Sequence, residues 1–235
     1  MNLGIESIIP IASIAWISVT LVAYILSVII YAKFTSKALF HPLIVTGAIL
    51  AFFLWVSDTS VEQFQTNTQL IDWMLGPATV ALALPLYRQI SVIRRLGFGV
   101  LAPVFIGGVL ASALAWLIML LSTENHALQM TMLVKSISTP FAMDVAAAIG
   151  GIPGLAAVVV IVTGMVGAIS AAWLFALFGI NAPAAQGIAL GTISHAIGTS
   201  RAIQMGEQVA AMATLAMCVN GLFTGLILSL LSAIG

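Results

Sequence analysis

Long apolar runs separated by short polar segments repeat from one end of the chain to the other. A helix needs about 20 apolar residues to cross about 30 Å of hydrocarbon. On that measure the pattern predicts spans over 8–31, 39–56, 70–88, 98–121, 128–149, 152–178, 183–203 and 207–233. Three of these carry polar or helix-breaking interruptions: Gly76-Pro77 and Pro85 in 70–88; Lys135, Ser138-Thr139-Pro140 and Asp144 in 128–149; Ser194-His195, Gly198 and Arg201 in 183–203. Those segments read as discontinuous helices or as re-entrant hairpins, and the second reading lowers the count to five or six. The run 8–31 lacks a basic leader and exceeds a signal-peptide core, so it is expected to be a true span. The fold class expected is an all-α integral membrane protein, a polytopic helical bundle of about six to eight membrane segments with proline- and glycine-broken helices, forming one domain over 1–235.

Composition narrows the function. Of 235 residues, 62% are hydrophobic and 6% charged, against about 25% charged in a soluble domain, which excludes a water-soluble globule. Seven Lys and Arg balance seven Asp and Glu, leaving no basic surface for nucleic acid. Lys33 and Lys37, then Arg88, Arg94 and Arg95, mark loops that face inward. The acidic segments with Asp58, Glu62 and Asp72, and with Glu124 and His126, then face outward, and both termini lie outside. Trp16, Trp55, Trp73, Trp116 and Trp173 fall mostly near span ends or polar loops, where such rings anchor to headgroups. The lone Cys218 reads as a small buried hydrophobe. Zinc, P-loop and nucleophile-elbow motifs are absent from the sequence, so no enzyme, metal or cofactor is expected.

Irregular backbone at membrane depth is tolerated where it is buried in protein or lines a wet cavity, which directs attention to the interrupted spans. Thr139 is suited to cap, and Pro140 to open, a half-helix. Its free N–H groups and positive dipole end would favour an anion, and Gly76-Pro77 offers a second such start. A plain proline kink is the alternative at each. A carboxylate at Asp144 is costly unless paired, protonated or wet, so it reads as a proton or Na⁺ coupling group or as the ion-pair partner of Lys135 or Arg201. A continuous helix over 187–201 places Thr192, His195 and Thr199 on one stripe and Ser194 and Arg201 on another. Arg201 suits a carboxylate or an inner-face anchor; His195 suits proton exchange or an interior hydrogen bond. Asn220 reads as a hydrogen-bonding link between helices.

Ser138-Thr139-Pro140 with Met143, Gly150-Gly151-Ile152-Pro153, and 187–201 with Gly206-Glu207 occur in the order that resembles the LrgB/CidB family of bacterial inner-membrane proteins. Leu75-Gly76-Pro77-Ala78 with Pro85-Leu86-Tyr87 resembles its earlier segment. The resemblance implies control of murein hydrolase activity and autolysis in a holin and antiholin scheme, with a smaller LrgA/CidA-like membrane partner as a separate polypeptide. It also implies a link to small acids, since the related plastid protein is a glycolate/glycerate translocator and some bacterial relatives are linked to pyruvate. Intramembrane Asp144, His195 and Arg201 are unnecessary for a large pore and favour a gated carboxylate site. The expectation is a homo-oligomeric secondary transporter for small monocarboxylates in the bacterial inner membrane. Gly76, Pro77, Thr139, Pro140 and Arg201 would receive the carboxylate, Ser138, Ser194 and Thr199 the hydroxyls, and Asp144 or His195 would couple a proton or ion. A holin-like regulator of lysis and a scaffold for a partner membrane protein are the alternatives.

Overall fold

A computed structural model describes residues 11–33, 42–74, 76, 77, 80, 84, 87 and 90–234. Regular structure among them is helical throughout. The expected roles of Lys37, Ala78, Pro85 and Arg88 lie outside the described residues. Four of the described helices are long and apolar enough to cross a membrane: α1 (Ile11–Lys33), α6 (Phe98–Ser122), α9 (Pro153–Leu177) and α11 (Glu207–Ile234, apolar to Ala233). A bent pair raises this to five if it is one span. The chain is therefore a multi-pass helical membrane protein, and the described residues supply four to five such spans rather than six to eight.

The N-terminal unit packs α1 against α2 (Pro42–Val56), followed by the short helices α3 (Val61–Asn67) and α4 (Gln69–Trp73). At 1.5 Å per residue the 15 residues of α2 reach only about 22 Å. The chain then bends by 112° into α3, beyond the end of the span expected over 39–56. Hydroxyls join the elements inside this apolar unit. Thr46 Oγ1 donates to Ser27 Oγ at 3.0 Å, Ser27 Oγ donates to the Ala23 carbonyl, and Ser13 Oγ donates to Asn67 Oδ1 at 3.1 Å. Ser60 and Gln63 close a reciprocal cap on α3. Gly76 and Pro77 are helical and exposed.

The C-terminal unit begins before α5 (Ile90–Leu96). It contains α6, two short helices α7 (His126–Leu133) and α8 (Thr139–Ala148), then α9, α10 (Pro183–Met205) and α11. Its core is three apolar clusters that the spans share. Val134, Ile137, Ala142 and Val145 pack on Val160; Val100 and Val104 of α6 pack on Leu215 and Val219 of α11; Phe175, Leu190 and Ala202 pack on Ala213. Small residues set how close these helices come, as they commonly do in membranes. A methyl on Gly187 or Gly191 would overlap the Val209 or Ala213 carbonyl of α11. Thr131 closes the turn before α9: its Oγ1 accepts from the Ile152 N–H at 2.8 Å, beside Gly150 at φ +78°.

Candidate functional site: two helix interruptions joined by one amide

The segment expected as a span over 128–149 is two short helices with a break at 134–138. Asn125 caps α7 through Oδ1, and α7 ends at Leu133, whose carbonyl accepts from Ser112 Oγ of α6 at 2.8 Å. Fully buried Val134 and Ile137 pin the break from within. The cap of α8 is Ser138, in extended conformation, one residue before the Thr139 expected from sequence. Ser138 makes no side-chain cap bond, and Pro140 falls in the first turn, where its missing N–H removes no helical bond.

The second interruption lies inside α10. His195 has φ 41° and ψ −129°, so the residues before and after it form two half-helices at a kink. This backbone region is unfavourable for a side chain, and tertiary contacts hold it. The imidazole is buried, with Nε2 2.9 Å from the Val160 carbonyl of α9. It lies against Gly164, where an added methyl would come within 2.7 Å of Cε1. Ser194 seats against Gly167 in the same manner. The kink interrupts the single stripe of Thr192, His195 and Thr199 expected from a continuous helix. Thr199 Oγ1 instead donates to the His195 carbonyl at 2.9 Å.

Asn220 of α11 connects the two interruptions. Its buried Nδ2 donates to the Ser136 carbonyl at 2.9 Å and to the Thr192 carbonyl at 3.0 Å. Both amide protons are thereby used on backbone carbonyls, one from each interrupted segment. Oδ1 accepts from Thr224 Oγ1 at 3.4 Å, and Gly108 of α6 leaves room for it: a methyl there would overlap the oxygen. The reading of Asn220 as a link between helices is met, although its partners are backbone breaks rather than side chains.

A cavity of about 430 Å³ opens between α9 and α10 beside this junction. Lys135, from the first break, and Ser194, from the second, both line it, with Thr163 and Ser170 of α9. The Lys135 ammonium donates to Ser136 Oγ at 3.2 Å. Arg201 instead bonds Gln204 Oε1 at 2.8 Å near the end of α10, and Asp144 is exposed on α8, lining a separate pocket with Phe141, Leu222 and Ser229. Neither lines the Lys135 cavity. Ser138, Thr139 and Pro140 are half-buried at the start of α8. Gly76 and Pro77 belong to the N-terminal unit. From sequence Lys135 reads as an interruption of the span and as an ion-pair partner of Asp144, not as a cavity-lining cation; the signal it carried was a lone cation in an apolar segment.

These features define a multi-pass membrane protein with two interrupted helices joined at a buried junction. The LrgB-like family matches residues 20–234. Two relatives, both named antiholin-like protein LrgB, come from Bacillus mycoides (strain KBAB4) and Bacillus cereus (strain B4264). Each is 31% identical over 208 residues, covering 88% of this chain and 90% of the relative. The chain belongs to the LrgB-like family. No solved structure matches it.

Proposed function

We propose that this chain is a secondary transporter for small monocarboxylates, and that an effect on autolysis follows from the acid it moves. The observation that carries the reading is the Asn220 amide joining two helix breaks beside a cavity that a lysine lines. Discontinuous helices present charged ends to ions and substrates near the membrane midplane, whereas a wide lytic pore requires no such junction. In this reading the α8 start at Ser138, Thr139 and Pro140 favours the carboxylate, Ser194 and Thr199 contact substrate hydroxyls, and Arg201 and Lys135 are the two candidate cations. Asp144 or His195 couples a proton or ion. The protein sits in the bacterial inner membrane with both termini outside, as a homo-oligomer, and acts beside an LrgA/CidA-like membrane partner rather than as an enzyme.

The relatives' printed name favours a second reading, in which the chain restrains a lytic pore directly. Uptake of labelled glycolate, glycerate, pyruvate and lactate into proteoliposomes, beside leakage of an entrapped dye, separates the two. Saturable uptake of at least one acid without dye loss is expected. Dye loss without selectivity, or uptake of none of the four acids, would overturn the transport reading.

A further inference from the structure

α8 packs on α9 and α11, and Asp144 lines the α8–α11 contact with Phe141, Leu222, Gly225, Leu226 and Ser229. Gly225 lets the two helices close there: a methyl on it would lie 3.5 Å from the Phe141 ring and 3.7 Å from Val145. The apolar stretch of α11, Glu207–Ala233, has Asn220 at its middle. At 1.5 Å per residue, Leu222 to Leu226 lie about 3–9 Å from that middle, inside a hydrocarbon half-thickness of about 15 Å. Asp144 is therefore at membrane depth. Leu222 and Leu226 beside it are exposed, which places the carboxyl group at the lipid-facing border of the unit. Among the described residues no hydrogen bond or ion pair reaches it; Lys135 donates to Ser136, and Arg201 to Gln204. α9 carries no ionisable side chain, and α11 carries Glu207 at its first residue and buried Cys218. Before α8 the chain carries Lys135 in the break and His126 at the start of α7. A lone ionised carboxylate is expensive in that setting, whereas the neutral acid is tolerated.

We infer that Asp144 is the proton-binding site coupled to acid uptake, and that His195 is not. This rests on the transport reading and deepens it by naming the coupling group. His195 is buried and lines neither the α9–α10 cavity nor the α8–α11 pocket. Its Nε2 meets the Val160 carbonyl, which only accepts, so that nitrogen keeps its hydrogen and the ring supports the kink. Asp144 has no such commitment. Lys135 and Asp144 bracket the start of one short helix. An acid anion taken at Lys135 and a proton taken at Asp144 leave neither charge uncompensated, the state in which both groups change their exposure at least cost. One proton then accompanies one monocarboxylate.

The test uses the full-length chain in lipid vesicles, with two readouts. Dicyclohexylcarbodiimide, which partitions into lipid and reacts with protonated carboxyl groups, is expected to modify Asp144, and a water-soluble carbodiimide to prefer exposed Glu124, read by peptide mass spectrometry. Initial uptake of labelled glycolate, glycerate, pyruvate and lactate, corrected for protein-free vesicles, is the second readout. A gradient of about one pH unit drives one-proton symport to about tenfold accumulation. Asp144→Asn should lose the response to the gradient while still exchanging labelled for unlabelled acid, and Asp144→Glu should restore it. His195→Gln, whose amide also donates to a carbonyl, should keep the ratio of uptake with and without the gradient. A gradient response that survives in Asp144→Asn, or a dicyclohexylcarbodiimide reaction at Asp144 no greater than at Glu124, overturns the assignment and leaves the transport reading standing. If the wild-type chain takes up none of the four acids, the transport reading falls and the coupling role falls with it.

Discussion

The two interruptions meet at one amide but are made in different ways. The break at 134–138 is marked by local chemistry. Polar residues precede a proline in the first turn of α8, and extended Ser138 starts a new helix without a side-chain cap. The break at His195 has neither proline nor glycine at its apex. It is a histidine at positive φ, held by a carbonyl of α9, by Gly164 and Gly167 against the ring and Ser194, and by Asn220 on the preceding Thr192 carbonyl. One interruption is signalled by adjacent residues, although Ser112 and Asn220 also bond to it, and the other carries no local signal and is imposed by residues 28 to 35 positions away. A helix can therefore be broken at membrane depth without a helix breaker when its neighbours supply the lost partners.

That contrast can be broken first at what the interruptions share. Asn220→Leu removes both bonds and takes the amide donor from the buried Ser136 and Thr192 carbonyls, which should cost about 2–4 kcal/mol. Denaturant titration of the purified protein in mild detergent would show it, and an unchanged midpoint would remove the amide as the link. Next comes the imposed break alone. Gly167→Ala places a methyl on Ser194 Oγ and should cost about 1–3 kcal/mol. Adding Ser194→Ala should recover most of that loss, so the pair is strongly non-additive in a double-mutant cycle.

A smaller effect sharpens the role of backbone strain at the same break. His195→Ala and His195→Gly both lose the ring contact with Val160, but glycine alone accepts φ 41° without penalty. The glycine variant should unfold at the higher denaturant concentration, with an advantage of about 1 kcal/mol. The smallest change is expected where local chemistry is most visible. Pro140→Ala should shift stability by less than about 1 kcal/mol, because a first-turn proline replaces no helical bond and buried Val134 and Ile137 hold the break regardless. A loss as large as that of Asn220→Leu would mean that the proline, not the packing, keeps the two short helices apart.

These cases also show what could be read from the residues. The apolar runs located α1, α6, α9 and α11 to within a few positions, because burial in lipid writes itself as composition. The interrupted character of 128–149 and 183–203 was legible from Pro140 and from the Gly and Ser content around His195. The position of the second kink was not, since a positive φ at histidine follows from contacts with α9 and α11 rather than from local preference. For the same reason the stripe through Thr192, His195 and Thr199 failed: it assumed one continuous helix. Lys135 was visible as a charge, but its cavity is walled by residues of α9 and α10 that sequence spacing does not bring beside it. The sharp bend between α2 and α3 was not read, because hydropathy counts apolar residues and is blind to direction.

The amide at Asn220 has a kinematic consequence. Two separate backbone interruptions would ordinarily contribute independent hinge coordinates, each free to twist without regard to the other. Here one rigid, planar group with both protons committed spans them, so a rotation at Ser136 that keeps its bond must turn the amide plane and, with it, the bond at Thr192. The interruptions therefore share one donor group, and a rotation at either beyond what its bond tolerates is felt at the other.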